Sequence, residues 1–427
     1  MVSELFRDVL IAVLLSYILL RIVLLTRQAR CVAAHRDAVP AAFAERITLA
    51  AHQRAADYAR GKIPLEYVAL GVEVGYFLAL TWGGGLQALH VFWLAHSTHA
   101  LVYGTGLIAS VAALSGLLDI PLNLYRQFRL ESRFGFNRMT PALFFLDLLK
   151  QILLFVLLGL PFLAAVLWLM QAMGEYWWFY VWLAWMSFNL LMFFAYPLWI
   201  APLFNKFTPL ADGEVKTRVQ ALLQRGNFGK RELFVMDGSR RSSHGNAYFT
   251  GFGKARRIVF FDTLLERLTP PQVEAVLAHE LGHFHHRHLI RRIALVFIFS
   301  LGFLVLLGQL LFAPWFFQGL GVDAAQSGNA ALALVLFSLI MPLFAILLGP
   351  AVHHLSRRDE FQADAYAARA SSADALIAAL IRLYEDNAAT LTPDPLYSCF
   401  YDSHPPAIVR ITRLMALATA NPAPPDA

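Results

Sequence analysis

Residues 279–283 read His-Glu-Leu-Gly-His. On a helix, residues four apart share a face, so His279 and His283 can bind one metal ion. Glu280, beside His279, can reach a water held there. A catalytic zinc takes three protein ligands and keeps a fourth position open. H-E-x-x-H supplies two of those ligands and the base for one Zn2+ ion. The plain alternative is a pair of satisfied histidines on a polar helix, so the third ligand decides. The extension H-E-x-x-H-x-x-G-x-x-H fails, because His286 stands at its glycine and Leu289 at its last histidine. A carboxylate from a second helix is the other common solution. The alanine-rich stretch 356–370, SRRDEFQADAYAARA, reads as helix and puts Glu360 and Asp364 four apart. Glu360 can be the third ligand, and Asp364 can accept the other ring N–H of His279. Alone, the stretch reads as a solvated acidic turn paired with Arg357 and Arg358.

The elements that must hold these residues are legible too. Thr269, Pro270 and Gln272 form a helix start with a T-x-x-Q capping box ahead of the metal motif. ELFVMDGS (232–239) reads as a strand ending in a turn. NAYFTGFGKARRIVFF (246–261) reads as a hairpin with GFGK at its tip.

Around this soluble stretch the chain is apolar. It has 427 residues, 58% hydrophobic and 15% charged, with mean hydropathy +0.55. Soluble domains are about 45–50% apolar and 25% charged. Seven segments are apolar enough to span a bilayer: roughly 8–25, 65–84, 101–123, 148–170, 176–200, 293–317 and 329–352. The first has too long an apolar run for a signal peptide, and TRQAR after it offers no cleavage site. Lys and Arg crowd 27–62, 124–140 and 205–292, whereas 85–100 and 318–328 have none. The positive-inside rule then places the N-terminus outside and the metal motif on the cytoplasmic side. The +6 charge is accounted for by these loops and does not call for nucleic acid. Arg21, Glu73, Asp119, Asp147 and Lys150 fall in or near spans, which suggests a hydrated interior or snorkelling ends. Cys31 and Cys399 are isolated, without a C-x-x-C, and Cys399 reads as core packing. His244, His285, His286 and His288 read as surface histidines.

HELGH, then EFQAD beyond an intervening membrane segment, then SHPP, closely resembles the type I CAAX prenyl proteases. RSSHGNAYFTGFGKARRIVFFDTLL (241–265) and SRFGFN (132–137) carry the same resemblance. It implies an α-helical polytopic membrane protein, whose seven transmembrane helices enclose a chamber, with a zincin-like α+β metalloprotease domain. The expected layout is a membrane part over 1–204 and a metalloprotease segment over 205–292. Two further spans over 293–352, the rest of the catalytic domain over 353–415 and a disordered tail over 416–427 complete it. The resemblance implies zinc on His279, His283 and Glu360, with Glu280 as base. It implies that His404 points into the site and contacts the scissile carbonyl. Asn246 matches the start of the substrate strand, and a peptide is expected along Asn246, Ala247 and Tyr248 by strand addition.

The expected partners are a peptide or protein substrate, prenylated or not, and the lipid bilayer, which would be the inner membrane if the chain is bacterial. The alanine- and arginine-rich composition is compatible with a bacterial chain. Three other readings compete. A heat-shock membrane metalloprotease shares H-E-x-x-H but has fewer spans. A site-2 protease buries the motif inside a span. A scaffold or transporter with structural zinc would have no use for Glu280. Oligomeric state and physiological substrate are not written in the sequence.

Overall fold

The computed structural model describes residues 1–229, 231–250, 257–326 and 328–420. The GFGK hairpin tip and residues 421–427 lie outside the described residues; 416–420, expected as the start of a disordered tail, are the last turn of the helix Ala407–Ala420. Seven helices are long and apolar enough to cross a membrane: Val2–Ala34, Leu49–Leu80, Ala100–Glu131, Pro141–Ala172, Gly174–Phe204, His288–Leu310 and Ala330–Ala370. Several outrun their apolar stretches. The second begins at Leu49, capped by Thr48, so Arg54, Arg60 and Lys62 ride on a helical extension and not in a loop. The expected loop over 85–100 contains a further helix, Gly85–His96.

The fourth span starts where Thr140 accepts the backbone N–H of Leu143 and Pro141 takes the first helical position. Its middle widens into a π turn at Phe155–Gly159. Pro161 follows, with no N–H to give and a ring that crowds the carbonyl four residues back, and the wider turn absorbs both.

The spans surround a cavity of about 670 Å³. Its walls are mainly aliphatic and aromatic, among them Leu14, Val111, Phe162 and Leu334; Tyr17, Tyr76 and Glu73 are its phenolic and charged members. Tyr17 donates to Glu73 at 2.7 Å, and Arg21 donates to Tyr17 at 2.6 Å. The other ionisable residues sit in different surroundings: Asp119 is exposed, Lys150 donates to the carbonyl of Leu203, and Asp147 is buried against Arg241.

The soluble part carries a four-stranded sheet. Its strands are β1 (Phe207–Pro209), β2 (Glu232–Met236), β3 (Ala247–Thr250) and β4 (Arg257–Phe261), in the order β1-β2-β4-β3. β2 and β4 run parallel; the outer pairs are antiparallel. β3 and β4 are the expected hairpin, and β3 is an edge. A second core, with Ile258, Phe260, Val273, Leu277 and Leu281 fully buried, glues sheet to helices.

The seventh membrane helix, Ala330–Ala370, is unbroken over 41 residues. At 1.5 Å per residue it is about 60 Å long, twice the roughly 30 Å hydrocarbon core of a bilayer. The acidic stretch at 356–370, expected as a separate helix, is the overhang of this span.

Candidate active site

The helix Pro270–His285 has the capping box at Thr269 and Gln272. It packs on the overhang of the seventh membrane helix, and Gly282 makes the contact possible. A Cβ there would stand 2.8 Å from the Cα of Ala363 and 3.0 Å from its carbonyl oxygen. The glycine inside the metal motif thus sets the helix spacing that brings Glu360 to the two histidines.

The three groups converge. Nε2 of His279 and Nε2 of His283 are 3.1 Å apart. Oxygens of Glu360 lie 3.4 Å from the first and 3.2 Å from the second. Ligands held at about 2.0–2.1 Å around a tetrahedral zinc stand roughly 3.3 Å from one another, so this set has the right dimensions. Glu360 Oε2 is buried and accepts no hydrogen bond. Oε2 faces His279, with Arg410 Nη2 3.6 Å away, and Oε1 faces His283; a buried carboxylate oxygen left without a hydrogen bond beside two imidazole nitrogens is what a cation would satisfy.

His279 is oriented from behind. Nδ1 of His279 is 2.8 Å from Asp364, so the tautomer that leaves Nε2 free for metal is favoured. Arg410 forks onto Asp364 with bonds of 2.6 and 2.7 Å. Burial and Arg410 both oppose a charged His279, but the hydrogen bonds to Asp364 and Glu360 outweigh them and raise it to about 9. A metal must therefore displace a proton at neutral pH. Metal affinity is expected to rise about tenfold per pH unit from pH 7 toward 9 and to fall as pH falls, which competition with a chelating dye across pH would measure.

Glu280 lies on the same helix beside the ligands and has no hydrogen-bond partner among the described residues. Burial pushes its carboxyl above the usual range, which makes it a stronger base. His404 stands across the site, with Nε2 3.6 Å from Glu360 Oε1 and its ring largely exposed.

A cleft lined by Asn246, Ala247, Glu280, His404 and Arg410, with Leu376 and Leu380 among its apolar wall residues, adjoins these groups. The Asn246 side chain accepts the backbone N–H of Ala247 at 2.8 Å and squares off the start of β3. Tyr248 does not enter the cleft. Strand alternation turns it to the opposite face, beside Pro197, Pro202 and Phe234, so any contact from Tyr248 to a bound peptide comes from its backbone.

The chain leading into β3 is braced from the membrane part. Phe136, in the FGFN stretch, stacks on His244 at 4.5 Å, and the backbone N–H of Ser243 donates to the carbonyl of Phe136. Arg241 forks onto Asp147 of the fourth span at 2.8 and 3.0 Å. His244 is thus an engaged residue and not a free surface histidine, with Nδ1 2.9 Å from Asn387. His288, also expected at the surface, is 1% exposed. His285 and His286 are exposed, as expected, and Cys399 is half-buried. Arg410 and His288 escaped the sequence reading. The signal for Arg410 was a lone arginine on the apolar face of AIVRITRLMALA; for His288 there was only one histidine among four.

Comparison with known proteins agrees with this architecture. Residues 28–206 match the family described as CAAX prenyl protease N-terminal, five membrane helices, and residues 209–418 match peptidase family M48. The CAAX prenyl protease 1 homolog of Arabidopsis thaliana is 38% identical over 314 residues, 73% of either chain. CAAX prenyl protease 1 of Saccharomyces cerevisiae is 34% identical, covering 75% of this chain and 73% of its own. The crystal structure of S. mikatae Ste24p superposes with a TM-score of 0.89 at 27% identity, over 96% of this chain and 99% of that one. The seven long apolar helices, the convergent histidines and carboxylate, and these matches lead to one conclusion: the chain is a membrane metallopeptidase belonging to peptidase family M48.

Proposed function

We propose that this protein is a zinc endopeptidase that cleaves CAAX-type carboxyl-terminal peptides, with its catalytic part facing the cytoplasm. One observation carries the reading: three ligand atoms at tetrahedral spacing beside an unpartnered glutamate, next to the edge strand β3. His279, His283 and Glu360 would hold one zinc ion, with Asp364 fixing His279. A bound zinc would polarise the scissile carbonyl and acidify a water. Glu280 takes the proton from the attacking water and passes it to the leaving amine. His404, across the site, donates to the carbonyl oxygen as negative charge builds on it. The edge of β3 offers backbone groups to an extended peptide, with Asn246 and Ala247 at the cleft and Tyr248 contributing backbone. Basic residues at 205–292 and in the other crowded loops support the cytoplasmic orientation. The CAAX substrate class is supported by the names of the relatives.

The test uses detergent-solubilised protein and two quenched fluorescent peptides, one ending in a farnesylated CAAX sequence and one unprenylated. Cleavage that a chelator abolishes and zinc restores supports the reading. Cleavage of both peptides alike would favour a membrane quality-control protease without prenyl specificity. No cleavage of either by the zinc-loaded protein would overturn the proposal. His404→Ala is expected to keep zinc and lose about 100-fold or more in kcat, by analogy with the loss of a single oxyanion donor; unchanged kcat would return His404 to a structural role.

A further inference from the structure

His279 has a carboxylate behind it. His283 has something different. Its Nδ1 lies 2.9 Å from Nδ1 of His288. The other nitrogen of His288, Nε2, lies 2.9 Å from the side-chain oxygen of Gln362. Gln362 sits two residues after Glu360 on the overhang of the seventh membrane helix. We propose that His288 is a positioning residue for His283: its Nδ1 accepts the proton on Nδ1 of His283 and so keeps Nε2 of His283 open for the metal.

Two nitrogens 2.9 Å apart need one proton between them, so the chain has a direction. With Gln362 accepting from Nε2 of His288, Nδ1 of His288 carries the lone pair. Nδ1 of His283 then carries the proton, and Nε2 of His283 turns a lone pair to His279 and Glu360. The reverse order would place a proton on Nε2 of His283, facing Nε2 of His279, and would close the site to a cation. Metal-bound histidines are commonly fixed by a hydrogen bond from the second ring nitrogen. Here that partner is a neutral imidazole.

The backbone supports the assignment. In an unbroken helix, a residue five positions on points about 140° away. His288 meets His283 because the helix stops at His285 and Arg287 adopts φ 55°, the left-handed region. A non-glycine residue holds that conformation where the surroundings determine it. The next helix then starts at His288 with its ring folded beneath the site.

This inference rests on the metal-site reading, and the experiment separates the two. The apparent zinc dissociation constant of the full-length, detergent-solubilised protein is measured by competition with a chromophoric chelator. The variants are His288→Phe, His288→Asn and Gln362→Ala. Phe keeps a ring and loses the acceptor; zinc binding is expected to weaken about 10- to 100-fold. Asn places its side-chain oxygen near the lost Nδ1 and is expected to recover most of that loss. Melting temperatures of the zinc-free Phe and Asn variants are expected to agree. Gln362→Ala, which leaves His288 in place, is expected to weaken binding in the same direction by a smaller factor and serves if His288→Phe fails to fold. Equal affinity in the Phe and Asn variants, whether tight or weak, overturns the proposal. Wild-type protein that takes up no zinc overturns the metal reading itself.

Discussion

Glu280→Gln is expected to lower peptide hydrolysis by roughly 100- to 10,000-fold, the usual contribution of a positioned base, while zinc content stays at that of the parent. Gln has the same shape but cannot take a proton from water. The three metal-facing groups are on other residues, and Glu280 makes no hydrogen bond among the described residues, so the substitution breaks no contact that holds the site. Burial raises the carboxyl, and that is the property the variant removes. Zinc analysis and turnover measured on the same preparation decide the matter. A variant that retains zinc and a tenth or more of parental turnover would sink the role of Glu280.

Arg410→Met is the second large effect, and it falls on stability first. Arg410 and Asp364 are both buried, with side chains 7% and 3% exposed. Breaking a buried ion pair by removing one partner typically costs about 3–5 kcal/mol, because the remaining charge is left without compensation. Here that charge is the one that orients His279. The expected result is a lowered melting temperature together with weakened zinc binding. Adding Asp364→Asn should return much of the lost stability, since removing both charges is far cheaper than removing one. It should not return parental zinc affinity, because Asn is a poorer partner for the ring N–H. Thermal melts with and without zinc on the single and double variants give the comparison. Equal melting temperatures for Arg410→Met and the parent would contradict the pairing.

The spans and the metal motif were legible because each rests on local patterning. Twenty apolar residues in a row, or two histidines four apart, are written in one stretch of chain. The capping box at Thr269 and Gln272 was legible for the same reason. What the sequence hid is tertiary. Nothing local joins Arg410 to Asp364, or His288 to Gln362, because each pair forms only when a distant helix packs on the overhang of the seventh membrane helix: Ala407–Ala420 for Arg410, and the helix starting at His288 for the other. The span ends were misplaced where helices run past the bilayer into soluble structure, since hydropathy reports the lipid-facing part and not the helix. Arg21, Glu73, Asp119, Asp147 and Lys150 looked alike in sequence, yet they do different things. Two pair beside the cavity, one is exposed, one holds Arg241, and one caps a carbonyl. A period-2 reading applied to β3 would have separated Ala247 from Tyr248.

The unbroken helix Ala330–Ala370 bears on how the enzyme is made. His279 and His283 leave the ribosome two membrane passages before Glu360. Until both passages are inserted, and inserted in the right sense, the carboxylate cannot reach the histidines. At about 5–20 residues per second, the chain spends several seconds with two ligands and no third. With Glu360 as the third ligand, a chain whose sixth helix fails to turn back is expected to be inert. On that reading activity waits on topology, because one rod, Ala330–Ala370, is both the last apolar span and the arm that carries Glu360 to the histidines.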